Sequence, residues 1–180
     1  YYSLTRMRTT GTLNVGGQAL PVTGESWMDH EFGSNQLATE EAGWDWYSLQ
    51  LDDGTELMLY RLRRQDGSLV PESSGTFVGA DGKATNLRVD AAAVEAQGRW
   101  ASRSSAAVYP MGWTIKVPSQ GLDLVVAPAL ADQELRTQGS AGETYWEGAV
   151  TVTGTRAQRP VKGHGYIEMT GYAAKFKARI

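Results

Sequence analysis

The chain contains no cysteine. Disulfides and thiolate metal sites are therefore excluded, while the compartment stays open, because cysteine-free chains occur inside and outside cells. Histidine is nearly absent too: His30 and His164 are the only two. Without an HExxH pairing they give no catalytic zinc centre, and no metal ligand is assigned. No Gly-x-Ser-x-Gly elbow occurs, and Ser26 precedes His30 outside any strand-to-helix context, so a serine-hydrolase triad is unsupported. "GSAGE" at Gly139 lacks the lysine and the strand–helix setting of a phosphate cradle.

An excess of one charge sign is also missing. There are 17 basic and 20 acidic residues, mixed along the chain, for a net charge of −3. That balance gives no electrostatic reason to expect nucleic acid or an anionic membrane surface as partner. No apolar run approaches the ~20 residues of a membrane-spanning helix. The sequence starts at Tyr1, with neither methionine nor a charged, apolar leader. Either a leader has been removed or this is one piece of a longer protein.

What is present is glycine, 21 residues of it, in turn dipeptides between alternating segments. Gly16-Gly17, Asp53-Gly54, Asp66-Gly67, Asp81-Gly82 and Gln120-Gly121 mark short loops, and Asp and Gly tolerate the positive φ that hairpin turns require. Period-2 alternation predicts strands over 1–13, 20–32, 44–51, 56–64, 68–78, 85–89, 106–117, 122–127, 145–154 and 163–172. "VDAAAVEAQGRW", 89–100, reads as a helical turn or two. About ten antiparallel strands on short loops point to an all-β fold, closed or nearly closed as a barrel able to hold one small ligand. At 180 residues the chain fits a single domain.

A few stretches set titratable residues beside aromatics. In "SWMDHEFGS", alternation puts Met28, His30 and Phe32 on one face, and Trp27, Asp29 and Glu31 on the other, so Asp29 and His30 cannot share a ligand unless a bulge intervenes. "GWDWYSLQL" places Asp45 with Tyr47, Leu49 and Leu51, opposite Trp44 and Trp46. Aspartate is rare in strands. Burial there would raise its pKa, as a general acid near neutral pH requires; the other reading is a loop cap or an arginine pair at the barrel rim. Glu147 shares a face with Tyr145, and Glu168 with His164 and Tyr166. These repeated Tyr-x-Glu units are read as neighbouring strands lining a semi-polar cavity, with a solvated outer face as the alternative. Two carboxylates so placed should not both ionise easily. Arg61 and Arg63, on the Leu57/Leu59 face, either pair with such carboxylates or reach solvent.

Four motifs in order, "GESWMDHEFGS", "GWDWYSLQLDDGTELMLYRLR", "YWEGAVTVTG" and "GHGYIEMTGY", resemble the carotenoid 1,2-hydratase/AttH-like family, whose bacterial members are often labelled predicted secreted hydrolases. The resemblance spans Tyr1 to Tyr172. It implies a lipocalin-like antiparallel β-barrel, with residues 1–180 as the C-terminal barrel of a two-barrel protein. The N-terminal barrel of the same protein is then a partner, and an extracytoplasmic location follows by resemblance only. It also implies a hydrophobic ligand, isoprenoid or lipid-like, and cofactor-free hydration of an isolated double bond. A cyclase of the same family, or a carrier that does no chemistry, is the alternative. By motif position Asp45 matches the family's acid and His30 its assisting histidine, with Phe32 standing where hydratases tend to carry tryptophan. Glu147 and Glu168 are the further catalytic candidates. Trp27, Phe32, Trp46, Tyr47, Tyr145 and Tyr166 are the expected ligand-binding wall, where aromatic faces would stabilise a carbocation by about 2 kcal/mol or more when desolvated.

Overall fold

The structure, a computed structural model, describes residues 1–32, 40–137 and 143–174. Most of "GSAGE" and the end of "SWMDHEFGS" lie outside the described residues. The chain divides into two compact units, Tyr1–Ser34 and Asn35–Ile180, and each is described by itself.

The first unit is a long hairpin of β1 (Tyr2–Val15) and β2 (Gln18–His30). Gly16 and Gly17 turn it with φ of 56° and 82°, the double positive φ of a type I′ turn. The register pairs Val15 with Gln18 at the turn and Tyr2 with His30 at the open end, and slips once, between Leu4 and Met7. Because the extra residue lies in β1, alternation through β2 is undisturbed.

The second unit begins with β3 (Glu41–Leu51), β4 (Glu56–Arg64), β5 (Ser74–Val78) and β6 (Ala84–Arg88). Short strands follow: β7 (Ala93–Ala96), β8 (Arg99–Ala101), β9 (Val108–Pro110) and β10 (Trp113–Val117). The unit ends with β11 (Leu122–Pro128), β12 (Glu134–Arg136), β13 (Thr144–Arg156) and β14 (Arg159–Thr170). One antiparallel sheet runs β6-β5-β4-β3-β14-β13-β11-β10-β7, with β12 added on β13, while β8 and β9 pair apart. The outermost strands β6 and β7 are consecutive in sequence, joined only by residues 89–92. Five peptide steps reach at most about 18 Å. The two ends of the path must therefore lie close, and the sheet is curled like a half-barrel. Among the described residues strand pairing leaves β6 and β7 unjoined, so the expected all-β antiparallel barrel takes the nearly closed form.

Alternation sorts the sheet into two faces. Tyr47, Leu49, Leu51, Leu57, Leu59, Phe77, Ile115, Val150, Val152 and Ile167 form one apolar core with Trp113 and Trp146. The predicted helical turn at 89–100 is instead β7 and the start of β8, since Val94 packs against the core as a strand residue pairing Ile115. Among the described residues the sole helical turn is the 3₁₀ turn Pro118–Gln120.

Candidate active site

Asp45 lies on the core face. It shares that face with Tyr47, Leu49 and Leu51, all at most 1% exposed, and its cross-strand partners are Arg61 on β4 and Met169 on β14. The carboxyl is itself buried. Two donors reach it, both at Oδ1: Arg63 Nε–H at 3.0 Å and the Tyr172 hydroxyl at 3.1 Å. Arg63 also donates through Nη2 to the Thr170 carbonyl and lies 4.1 Å above the Tyr172 ring. Burial pushes the Asp45 carboxyl above its ordinary value, against the pull of the Arg63 guanidinium and the Tyr172 hydroxyl. Desolvation wins even though Arg61, its partner on β4, also pulls the value down. Both sequence readings thus meet here: a buried acid of raised pKa that also pairs with an arginine.

Tyr172 reaches Asp45 because the chain turns back after β14. Gly171 has φ of 75°, and a Cβ there would meet the Ala42 carbonyl oxygen at 2.2 Å. Only glycine fits that turn. The Tyr172 ring also packs on Tyr109, centroids 5.2 Å apart. The Tyr109 hydroxyl donates to Glu134 at 3.0 Å, where the Ser102 and Ser105 hydroxyls donate as well. Burial works against the Glu134 carboxylate, but the three donors outweigh it and hold its pKa below the ordinary value. Burial pushes the hydroxyls of Tyr47 and Tyr172 well up, so both stay protonated at any physiological pH. The Trp113 ring meets Tyr47 edge-on at 6.0 Å and Trp146 at 6.3 Å. The result is a polar rim, Asp45–Arg63–Tyr172, standing on an aromatic floor. Tyr109, Glu134 and Tyr172 were missed by sequence reasoning.

The Tyr-x-Glu units lie elsewhere. Glu147 and Glu168 are direct cross-strand partners, as their repeat suggested, and Glu168 faces Trp46 on β3. Their face, however, is opposite the core, because Trp146, Val150 and Val152 alternate with them and are buried. Of the two readings offered, the cavity lining is therefore set aside for the outer face, to which Glu147, Glu168, Tyr145, Tyr166 and Trp46 belong. There Trp44 Nε1–H donates to Glu168 at 2.6 Å and the Tyr166 hydroxyl donates to Glu147 at 3.3 Å. Burial and the Glu168, Glu143 and Glu147 charges push Tyr145 up to about 12. Trp46 consequently does not wall the Asp45 site, whereas Tyr47 does.

In the hairpin unit, Asp29 accepts from Trp27 Nε1–H at 2.8 Å and from the Tyr1 hydroxyl at 2.6 Å. His30 stacks on Tyr2, centroids 5.2 Å apart, and meets Phe32 edge-on at 5.6 Å. Asp29 and His30 thus project to opposite faces, as alternation predicts. Among the described residues no group of three His, Asp or Glu is arranged to hold a metal ion. A shallow depression lies beside β4, lined by Leu59, Tyr60, Arg61, Ser73, Arg88 and Ala92 among others.

Comparison with known proteins adds a family. A model described as AttH-like matches residues 1–172. Kievitone hydratase of Fusarium solani subsp. phaseoli is 22% identical over 93% of this chain and 48% of that protein. The dehydratase asqC of Emericella nidulans is 24% identical over 93% of this chain and 49% of that protein. A crystal structure assigned to AttH from Nitrosomonas europaea superposes with a TM-score of 0.84 at 37% identity, covering 95% of this chain and 51% of that one. Kievitone hydratase from Nectria haematococca, at 22% identity and a TM-score of 0.76 over 96% of this chain and 52% of that one, shares the fold. The chain spans about half the length of the relatives it matches.

Proposed function

Because the chain belongs to the AttH-like family, we propose that it is half of an acid–base catalyst that adds water to, or removes it from, a hydrophobic small molecule, with Asp45 as proton donor. The observation that carries this reading is the buried Asp45 carboxyl with its raised pKa on an aromatic floor. Relatives named hydratase and dehydratase support it, since the two reactions are one equilibrium run in opposite directions.

In the hydration direction, the neutral carboxyl gives its proton to one alkene carbon, and the other becomes a carbocation. Tyr47, Trp113 and Tyr172 supply electron-rich ring faces for that charge. Water attacks the cation and passes its proton to the Asp45 carboxylate, which restores the acid. In the dehydration direction the same proton goes to the leaving hydroxyl. No redox cofactor takes part. Intramolecular capture of the cation in place of water would make the same site a cyclase. A second barrel of the same protein completes the catalyst, and the location is extracytoplasmic.

A carrier would need no buried acid, and that separates the two readings. On the full-length protein, with kievitone and an acyclic carotenoid as probes, Asp45→Asn should abolish hydration while binding persists. Full activity in Asp45→Asn would end the acid–base reading. Tight binding of a probe by the unaltered protein without turnover would favour the carrier.

A further inference from the structure

Two polar atoms on the core face have no hydrogen-bond partner among the described residues. Both donors to Asp45 converge on Oδ1, so Oδ2 is left without one. Tyr47, two residues along the same strand and on the same face, makes no hydrogen bond through its hydroxyl among the described residues, although it is only 1% exposed. A buried polar group normally finds a partner, and an unmade bond costs about 1–3 kcal/mol. Among the described residues the only fully enclosed side-chain polar atom lacking a partner is Arg156 Nε. The Tyr47 hydroxyl and Asp45 Oδ2 therefore each keep a sliver of accessible surface. They are unpartnered without being sealed in.

We propose that Asp45 Oδ2 and the Tyr47 hydroxyl together form the seat of the water molecule, or of the ligand hydroxyl, that the reaction adds or removes. This rests on the acid–base reading of Asp45 and assigns atoms within it. Arg63 and Tyr172 are positioning residues: by filling Oδ1 they leave Oδ2 as the oxygen that carries the transferable proton. A carboxyl whose Oδ1 accepts two donors cannot also hold its proton there without losing one of them. Tyr47 is then more than a wall. Its hydroxyl holds the water oxygen by donation or by acceptance, and Trp113, edge-on to the ring, fixes the direction in which it points. For hydration, the water proton passes to Oδ2 as the carbon–oxygen bond forms. For dehydration, Oδ2–H protonates the same hydroxyl as the carbon–oxygen bond breaks.

The test uses Tyr47→Phe, which keeps the ring and its packing and removes only the oxygen. With kievitone as probe and the full-length protein, we expect kcat to fall by about tenfold or more, the worth of one hydrogen bond to the reacting group, with KM within about twofold. A wall residue would leave both constants unchanged, and that result overturns the proposal while leaving Asp45 as acid if Asp45→Asn is inactive. A second arm needs no turnover: a crystal structure of the full-length protein at a resolution that shows waters. A water within hydrogen-bond distance of both Oδ2 and the Tyr47 hydroxyl supports the seat. A protein donor filling Oδ2, or the two groups bonded directly to each other, overturns it. Tyr172→Phe adds a spectroscopic check by carbon-13 NMR. Loss of an Oδ1 donor should raise the Asp45 titration midpoint, and an unmoved midpoint refutes the positioning role.

Discussion

Replacing Asp45 by asparagine should change how stability depends on pH, with a sign set by burial. The folded carboxyl titrates above its unfolded value of 3.8 because desolvation exceeds the pull of Arg63. Between those two values the native state binds more protons than the unfolded chain. Stability therefore falls as pH rises through that window, at up to about 1.4 kcal/mol per pH unit, and is level below and above it. Asparagine removes this component while keeping the shape: its carbonyl accepts from Arg63 Nε and the Tyr172 hydroxyl as the neutral acid does. Below pH ~3.8 the two proteins should agree to within about 1 kcal/mol, a neutral acid and an amide being near-equivalent acceptors. As pH rises, the variant should gain on the unaltered chain until the folded carboxyl has ionised. Urea unfolding between acid and neutral pH, read by near-ultraviolet circular dichroism of Trp113 and Trp146, measures the difference, in which other titrating groups cancel. The opposite trend, with Asp45→Asn losing ground as pH rises, would mean that the ion pair with Arg63 outweighs burial. The acid would then be a structural carboxylate.

Gly148→Ala should destabilise by about 1–3 kcal/mol, because a Cβ there would lie 2.1 Å from the Trp146 ring; a chemical-denaturation midpoint unchanged from the parent would refute that packing. Glu134→Gln should cost stability at neutral pH, because three hydroxyl donors favour the carboxylate. Its pKa is lowered from 4.5, so that contribution is present above the unfolded value and disappears as pH falls through the folded one, and unfolding at two pH values reads the difference. Gln158→Gly should stabilise by about 0.5–1 kcal/mol in thermal unfolding, because Gln158 sits at φ of 65° without a glycine's freedom.

Much of the sheet was legible because its turns carry chemical signatures. The Asp-Gly and Gly-Gly turns fall between strands as read, and β4 begins and ends where alternation placed it. The β13–β14 turn had no such signature: Ala157 and Gln158 take the left-handed conformation without glycine, at φ of 47° and 65°. Strands β7, β8 and β12 span three or four residues each, too short for periodicity to register. The side-chain faces were read correctly in "YWEGAVTV", but alternation left open whether the Glu147 face lined a cavity or faced outward. Two tyrosines beside two carboxylates look like a site, whereas Trp146, Gly148, Val150 and Val152 look interrupted. The interruption is only apparent, since the Trp146 ring folds over Gly148 and fills its place. On β3 alternation groups Asp45 with Tyr47, Leu49 and Leu51, and that is the side the structure buries.

What alternation could not supply was Asp45's company. Arg63 was visible as a cation on the right face, but Tyr172 enters from beyond β14 and Tyr109 from a three-residue strand, contacts separated by 127 and 63 positions in the case of Tyr172. Their convergence follows from the sheet's own geometry. Asp45 lies near the start of β3, Arg63 near the end of β4, and Thr170 ends β14. Antiparallel order therefore brings these termini to one rim, while Leu49, Leu51, Val152 and Val161 fill the opposite end. A charged side chain tolerated on the core face has to sit where strands end, because only there can loop residues such as Tyr172 reach in to satisfy it. The same position lets a ligand approach Oδ2 from outside the packed core. Burial enough to raise a carboxyl's pKa and access enough to use its proton are conflicting demands, and the rim of a curled sheet is where both are met.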